Sequence, residues 1–507
     1  MAVETELKLR ITPENLAMLR KHALLKAHQA ARPVTQRLYN IYYDTRKLDL
    51  YQSGMALRLR HAGRQWLQTL KGGGSVKTGL HQRNEWEVRV QRPALDFSFP
   101  DAAEWDKHLP PLLRKKLQPV FVTDFSRTSR ILDYQGAQIE LCVDQGEVRT
   151  EQRSMPICEL ELELKSGATL RLFELALALL EIVPFELESV SKAEQGYRLL
   201  SGYAGHPAKF AAPVPARTDT LADMLKMLIW SCLQHFQNNL GGAMIGDDAE
   251  YLHQMRVALR RLRVVLRMAE KLSFDGQLAE LIGATAVMCV ALGRMREWDV
   301  FIAETVQPMC KRMAGHGGLQ ALLAESERHR ASCYAALRSD AQVRERQRLL
   351  LRFAIWLDGA DWQQKGGQQQ TEAAQQAQDF ATRRLNKLAK RFASSGQQLS
   401  TADAARLHEL RILAKKLRYS AESFAALYDI KKAGPYLATL SAVQDVLGQI
   451  NDIAVAHRLL DELAENAALA EAVVLAKGWI AHELSGLLTA LRKSMQNFNI
   501  QTAFWKK

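Results

Sequence analysis

Glu4-Thr5-Glu6-Leu7-Lys8-Leu9-Arg10 carries its charges at even positions and Thr or Leu at odd ones. Successive side chains of an extended strand point to opposite faces, so this stretch predicts a strand with one charged and one apolar face. For a lone strand the simplest outcome is a half-exposed antiparallel sheet whose charged face is solvated. The habit recurs, however. Glu159, Glu161, Glu163 and Lys165 alternate with Leu160, Leu162 and Leu164; Glu85 and Glu87 flank Trp86; Arg58 and Arg60 flank Leu59. Solvated faces usually mix signs, whereas one of these strands is purely acidic from Glu159 to Glu163 and another purely basic at Arg58 and Arg60. Adjacent carboxylates repel one another unless a cation neutralises them, and oxygen ligands suit a hard ion such as Mg²⁺ or Mn²⁺. Facing guanidinium and ammonium groups would receive phosphate oxygens, Arg as a bidentate fork and Lys as a point charge. The ligand implied is a compact polyphosphate held together with a metal.

Outward from that strand, alternating runs at Leu38 to Asp44, Gln65 to Leu70, Thr128 to Asp133 and Gln138 to Val143 predict further strands. Helical periodicity near Pro13 to Leu25, Ala103 to Leu117 and Leu170 to Ile182 interrupts them, so residues 1–202 read as α+β. Gly72-Gly73-Gly74-Ser75-Val76-Lys77-Thr78 lacks the Gly-Lys-Ser/Thr ending of a phosphate loop and reads as a flexible strand connection. Residues 203–217, small, polar and proline-bearing, suit an extended linker.

The first domain resembles the CYTH family of triphosphate tunnel metalloenzymes. The motifs that carry the resemblance are Glu4-x-Glu6-x-Lys8, Arg58-Leu-Arg60, Leu70-Lys71, Glu85-Trp-Glu87, Arg127, Glu159-Leu-Glu161-Leu-Glu163 and Ser191-Lys192-Ala-Glu-Gln-Gly196-Tyr197. The resemblance implies a closed antiparallel β-barrel with outer helices, its lumen lined by charge. It implies Glu4, Glu161 and Glu163 as metal ligands, with Glu6 and Glu159 completing the set and Glu85 and Glu87 as further carboxylates. Lys8, Arg58, Arg60, Lys71 and Arg127 would hold phosphate, joined by Arg83 and Arg130, and Lys192 would sit near the attacked phosphorus. Lys192, Glu6 and Lys8 are then the expected catalytic residues, and Mg²⁺ or Mn²⁺ the cofactor.

From residue 218 to about residue 500 strand signals vanish and 3.6-residue periodicity dominates, with breaks expected at Gly241-Gly242, Gly315 to Gly318 and Gly366 to Gln376, the last inside a Gln-rich tract from Gln363 to Gln378. His253-Gln-Met-Arg256-Val-Ala-Leu-Arg260-Arg261-Leu-Arg263 returns 155 residues later as His408-Glu-Leu-Arg411-Ile-Leu-Ala-Lys415-Lys416-Leu-Arg418. The same offset aligns Leu292-Gly293 with Leu447-Gly448. An internal repeat with two sub-bundles, at about 218–362 and 379–500, follows. His253, Arg256, Arg260, Arg263 and Arg267 share one helical face, and no Asp or Glu occurs from His253 to Met268 or from Leu410 to Ala421. A solvated basic face would normally recruit acidic partners, and this one lacks them twice. These motifs resemble the CHAD domain, a conserved histidine α-helical domain of two four-helix sub-bundles. The resemblance implies inorganic polyphosphate bound along His253, Arg256, Arg260, Arg263, His408, Arg411, Lys415 and Arg418. Neither His253 nor His408 has a second metal ligand at helical spacing.

The chain has 507 residues and a net charge of +13; residues 1–205 hold 29 Lys+Arg against 25 Asp+Glu and the remainder 39 against 30, so both parts are basic. Six cysteines without a CxxC pair read as reduced thiols, and the acidic start Met1 to Glu6 is unlike a signal peptide. Apolar runs such as Leu175 to Leu180 and Ala284 to Leu292 fall short of the roughly 18 to 20 residues that cross a bilayer. The expected location is the cytoplasm, in association with polyphosphate granules, with no membrane partner. Nucleic acid is disfavoured because no recognition helix, zinc pattern or aromatic-rich sheet accompanies the basic stripe. The leading expectation is hydrolysis of inorganic triphosphate to pyrophosphate and phosphate. The alternatives are a thiamine or nucleoside triphosphatase or class IV adenylate cyclase at the same site, and a non-catalytic polyphosphate-binding protein.

Overall fold

The computed structural model describes residues 2–98, 102–202, 205–215, 220–246, 248–270, 276–359, 377–397 and 404–506. The chain divides into two units, residues 1–206 with 340–359 and residues 207–339 with 360–507.

In the first unit eight antiparallel strands close on themselves: β1 (Ala2–Arg10), β2 (Val34–Asp44), β3 (Met55–Ala62), β4 (Gln65–Lys77), β5 (Leu80–Val90), β6 (Gln118–Tyr134), β7 (Ala137–Arg149) and β8 (Ser154–Ser166). Their order is β5-β4-β3-β2-β6-β7-β8-β1, and β1 pairs back onto β5, which removes both edges. A two-residue strand, β9 (Glu186–Leu187), lies against the far end of β1. Both faces of the wall are buried. Leu7 and Leu9 are fully covered on the outside, where the helix Leu170–Ile182 supplies Leu172, Leu175 and Leu179, yet Glu6 and Lys8 on the inside are only 6% and 5% exposed. The solvated charged face that a lone strand would present is therefore absent: closure turns the charges inward and the leucines outward.

One end of the lumen is apolar, built from Leu38, Tyr42, Phe121, Phe125, Val148 and Ile157, and is plugged by Tyr197 of the helix Lys192–Ser201. Gly196 lets that helix lie on Phe121, since a Cβ there would stand 2.1 Å from the ring. The Gly72–Gly74 run is a bulge inside β4 rather than a connection between strands. Gly73 and Gly74 have φ of +65° and +92°, the left-handed region that glycine enters at little cost.

The second unit is helical, and the repeat seen in the sequence is a repeat of helices. Ala249–Ala269 and Ala404–Phe424 are both 21 residues long and stand 155 residues apart at each end. Leu221–Ile245, Gly276–Val300 and Gly317–Leu337 find counterparts in Ala377–Gln397, Ile430–Leu463 and Ala470–Asn499 at nearly the same offset. The expected break at Gly241-Gly242 is not one. The helix runs on to Ile245, because a Cβ at Gly242 would meet the Tyr251 ring at 2.4 Å and the glycine serves close helix packing. The break at Gly315 to Gly318 is present, with Gly315 at φ +89°. Gly276–Val300 continues through a π-helical turn, Phe301–Val306, into Gln307–Arg312. The stretch Gly276–Arg312 is long and apolar enough to cross a membrane by length and composition. It carries a buried Asp299 paired with Arg330 at 2.7 Å, which suits a bundle helix.

Residues 205–215 form no regular element, but Ala208 is held by His235 and Asn239 at 2.9 to 3.0 Å. Most of the Gln-rich tract lies outside the described residues. The sequence boundaries put residues 340–358 in the first sub-bundle; the helix Asp340–Asp358 instead groups with the barrel. All six cysteines are free thiols.

Candidate active site

The lumen of the barrel holds a cavity of about 620 Å³. Alternation decides its lining: Glu4, Glu6 and Lys8 from β1, Arg58 and Arg60 from β3, Lys71 from β4, Arg83, Glu85 and Glu87 from β5, Arg127 from β6 and Glu161 and Glu163 from β8 all face it, with Lys192 entering from the plug helix. Residues 150 or more positions apart thus converge because register sets them opposite one another, as with Lys8 and Glu161 or Glu6 and Glu163. Arg130 does not join them. It falls on the other parity of β6, where it donates to Gln29 at 3.1 Å.

The carboxylates form two groups. In the deeper one Asp144, Glu159 and Glu161 are buried and bring their oxygens within 4.8 Å of one another. Lys192 sits among them, 2.6 Å from Asp144, 2.9 Å from Glu161 and in close contact with Glu159. Arg127 clamps Asp144 through two hydrogen bonds of 2.8 and 2.6 Å and also reaches Glu161, as does Lys8. Burial alone would favour the neutral carboxyl, but Lys192, Lys8 and Arg127 hold Glu161 well below the usual range. Burial likewise opposes the charge on Lys192, and Asp144, Glu159 and Glu161 overcome it and hold the ammonium well above the ordinary lysine value. Burial does prevail at Glu159, whose pKa is raised.

The second group is less well compensated. Glu6 and Glu163 stand directly opposite on neighbouring strands, with Glu4 and Glu140 nearby. Glu4 meets Lys71 at 2.5 Å, Glu6 meets Lys8 at 3.0 Å, and Lys165 bridges Glu163 and Glu140 at 2.7 and 2.8 Å. Glu163 nonetheless has a raised pKa, from burial and from the like charges of Glu4 and Glu140. Like charges directly opposite in a sheet are destabilising, so this wall has room for another cation. Glu4, Glu6 and Glu163 offer the all-oxygen chemistry that a hard divalent ion takes, although among the described residues it is Asp144, Glu159 and Glu161 whose oxygens lie within 4.8 Å of one another. Glu159 and Glu161, expected in one metal set with these, belong to the group already matched by Lys192, Lys8 and Arg127.

The opposite wall has an excess of cations. Arg60, half-buried, is depressed to about 10 by its removal from water and by the neighbouring charges of Arg58 and Arg127, and it donates to Asn40 at 2.8 Å. The Nε of Arg58 is buried with no partner. Arg58 lies 3.6 Å from Glu85, Lys71 lies 3.4 Å from the same carboxylate, and Glu87 is engaged by Thr69 at 2.9 Å. A buried donor without an acceptor beside a crowd of like charges calls for an anion.

Asp144 was not among the residues expected from the sequence. It follows the alternating run Gln138 to Val143 by one position, and its even numbering in register with Glu140 was the signal that could have found it. Tyr42 was missed as well, because Asn40 and Tyr42 carry no charge to reveal which face of β2 turns inward.

In the helical unit His253, Arg256, Arg260, His408, Arg411 and Lys415 line one cavity of about 950 Å³. Arg260 and Lys415 also line a second, of about 1250 Å³, together with Arg263. The two cavities share residues, so the basic stripes of both repeats meet in one groove. Arg418 lines neither cavity and pairs with Glu422 at 2.8 Å. The helix Ala377–Gln397 adds Arg384, Lys387 and Arg391, which the sequence motif did not include. Burial followed by Arg260, Arg411 and Arg256 pushes Lys415 down to about 6, and burial with Arg296, Arg260 and Arg256 pushes His253 down to about 4.

Residues 2–197 match the model of the CYTH domain and residues 227–461 that of the CHAD domain. A relative from Haemophilus influenzae named inorganic triphosphatase is 36% identical over 209 residues, 39% of this chain and 55% of that protein, so the match spans about half of the relative's length. Among solved structures, the CHAD domain of the plant Ricinus communis is 29% identical, covering 58% of this chain and 97% of that one, with a TM-score of 0.48. An adenylyl cyclase-like protein from Hippeastrum, described as having a dominant triphosphatase activity, is 19% identical over 39% of this chain and 96% of its own, with a TM-score of 0.27. The chain therefore carries a CYTH domain followed by a CHAD domain.

Proposed function

We propose that this CYTH–CHAD chain is a metal-dependent inorganic triphosphatase, hydrolysing tripolyphosphate to pyrophosphate and phosphate, whose helical domain binds inorganic polyphosphate in the cytoplasm. The observation that carries the reading is the lumen itself, where a cation-rich wall with an unpartnered guanidinium nitrogen on Arg58 faces carboxylates at Glu4, Glu6 and Glu163. Arg58, Arg60, Lys71 and Arg83 would bind the terminal and bridging oxygens of the anion. Lys8, Arg127 and Lys192 would lie at the end where negative charge spreads as the phosphoryl group transfers, held protonated and aimed by Asp144, Glu159 and Glu161. Glu4, Glu6 and Glu163 would hold Mg²⁺ or Mn²⁺, which when bound supplies charge neutralisation and lowers the pKa of a coordinated water. The apolar plug of Phe121, Phe125 and Tyr197 closes one end and limits solvent around the reacting group. Binding of long polyphosphate by the groove would raise the local concentration of polyanion or enzyme.

The test is phosphate release from tripolyphosphate, ATP, thiamine triphosphate, pyrophosphate and long polyphosphate with Mg²⁺ or Mn²⁺. Tripolyphosphate is expected to be fastest, and Glu6→Ala or Lys8→Ala to abolish release. Preference for ATP or thiamine triphosphate would replace the inorganic substrate with an organic one, and no turnover of any substrate would reduce the chain to a polyphosphate-binding protein.

A further inference from the structure

The helix Asp340–Asp358 breaks the repeat. Its counterpart at the 155-residue offset would begin at residue 495, inside Ala470–Asn499, and Ile500 to Lys506 form no further helix. The extra helix groups with the barrel, and it grips one stretch of chain there. Gln347 accepts the amide N–H of Leu187 at 3.1 Å, and Arg344 donates to the carbonyls of Leu180 and, at 3.3 Å, Ile182. Arg348 pairs with Glu181 at 2.8 Å, and Arg346 faces Glu186 at 3.8 Å. Arg346 and Gln347 are fully buried. Burying two such side chains costs free energy that leucine in the same place would not, so covering apolar surface does not explain them.

The gripped stretch leads to the active site. Leu187 and Glu186 pair with Leu9 and Arg10 of β1, the Glu188 N–H donates to the Lys8 carbonyl at 2.8 Å, and His81 Nε2 meets the Glu188 carbonyl at 3.0 Å. Four residues after Glu188 comes Lys192, the first residue of the plug helix, capped by Ser191. We propose that the helix Asp340–Asp358, supplied from between the two helical repeats, is a positioning element of the tunnel: Gln347 and Arg344 hold the segment from Leu180 to Val190 against β1 and so fix Lys192 among Asp144, Glu159 and Glu161. The kinetic part of this proposal rests on the triphosphatase reading; the structural part does not.

The experiment compares the full chain with its Gln347→Met and Arg344→Met variants, and with Glu345→Gln on the exposed side of the same helix as control. Hydrogen exchange of residues 186–192 is expected to accelerate on the order of tenfold in both variants, while the β8 amides from Cys158 to Leu164 stay protected. The kcat for tripolyphosphate should fall on the order of tenfold with KM within about twofold, since a displaced catalytic group affects the chemical step more than binding. Combined with Lys192→Ala, Gln347→Met should cause no further loss, because the two act through one group. Unchanged exchange in both variants, or full additivity with Lys192→Ala, would overturn the proposal. Should Gln347→Met not fold, Arg344→Met decides alone; should the wild-type chain release no phosphate, the triphosphatase reading falls and the exchange measurement still decides the positioning role.

Discussion

At the scale of single residues, the tunnel works by mutual compensation, and Asp144 shows this best. It is fully buried and answers both Arg127 and Lys192. Asp144→Asn removes one negative charge from a site that keeps two cations, so urea unfolding is expected to show a loss of about 3 kcal/mol, the scale of a broken buried pair. Phosphate release should fall as Lys192 loses its aim. In the groove the imbalance is reversed. Lys415, near 6 in the free protein, is largely neutral at pH 7, and a bound polyanion would favour its charged form. Its pKa then rises above 7 on binding, a proton is taken up, and affinity increases as pH falls from 8 toward 6. Calorimetry of polyphosphate binding in buffers of different ionisation enthalpy should register that uptake at pH 7, and Lys415→Met should lose it. Alternation within β1, β3 and β8 made most of the tunnel residues legible in the sequence. Arg130 was misplaced because parity along β6 can be read only once Arg127 is known to face inward, and Arg418 because its partner Glu422 lies one turn along on the same helix.

At the scale of elements, the short helix Lys192–Ser201 matters more than its length suggests. It closes the lumen, presents Lys192, and anchors Tyr197 to Asp44 at 2.9 Å. Gly196→Ala would push a methyl group into Phe121, and a destabilisation of about 1 to 3 kcal/mol, read as a lower melting temperature, should accompany a loss of activity. The Ser191-Lys192-Ala-Glu-Gln-Gly196-Tyr197 motif was visible in the sequence, but its role as a plug was not, since that depends on where β2 and β6 bring Tyr42, Phe121 and Phe125. Strand lengths were similarly underread. The run Thr128 to Asp133 is the end of a 17-residue strand whose earlier part, with Phe121 and Phe125 facing inward, pairs with β2 and β7.

At the scale of the whole molecule, two cation-lined cavities of different character follow from the same basic composition. Lys8, Arg58 and Lys192 of the tunnel are buried, whereas Arg263, Arg267 and Lys416 on the basic helices are exposed, so salt should separate the two: raising NaCl from about 50 to 200 mM is expected to weaken long-polyphosphate binding by more than tenfold while changing the KM for tripolyphosphate far less, because buried charges are screened less than exposed ones. Equal sensitivity at both sites would contradict this. The sequence by itself determined the alternating strands, the 155-residue helical repeat and many of the charged residues that line the two cavities, because side-chain periodicity is a local property of the backbone. Only the tertiary structure decided that the charged face of Glu4, Glu6 and Lys8 turns inward, that Asp144 and Lys192 meet there, and that the helix Asp340–Asp358 belongs to the barrel. Those outcomes depend on ring closure and on contacts between residues far apart in the chain, 48 positions for Asp144 and Lys192 and 160 for Leu187 and Gln347, and no local pattern encodes which distant partner a buried charge will find.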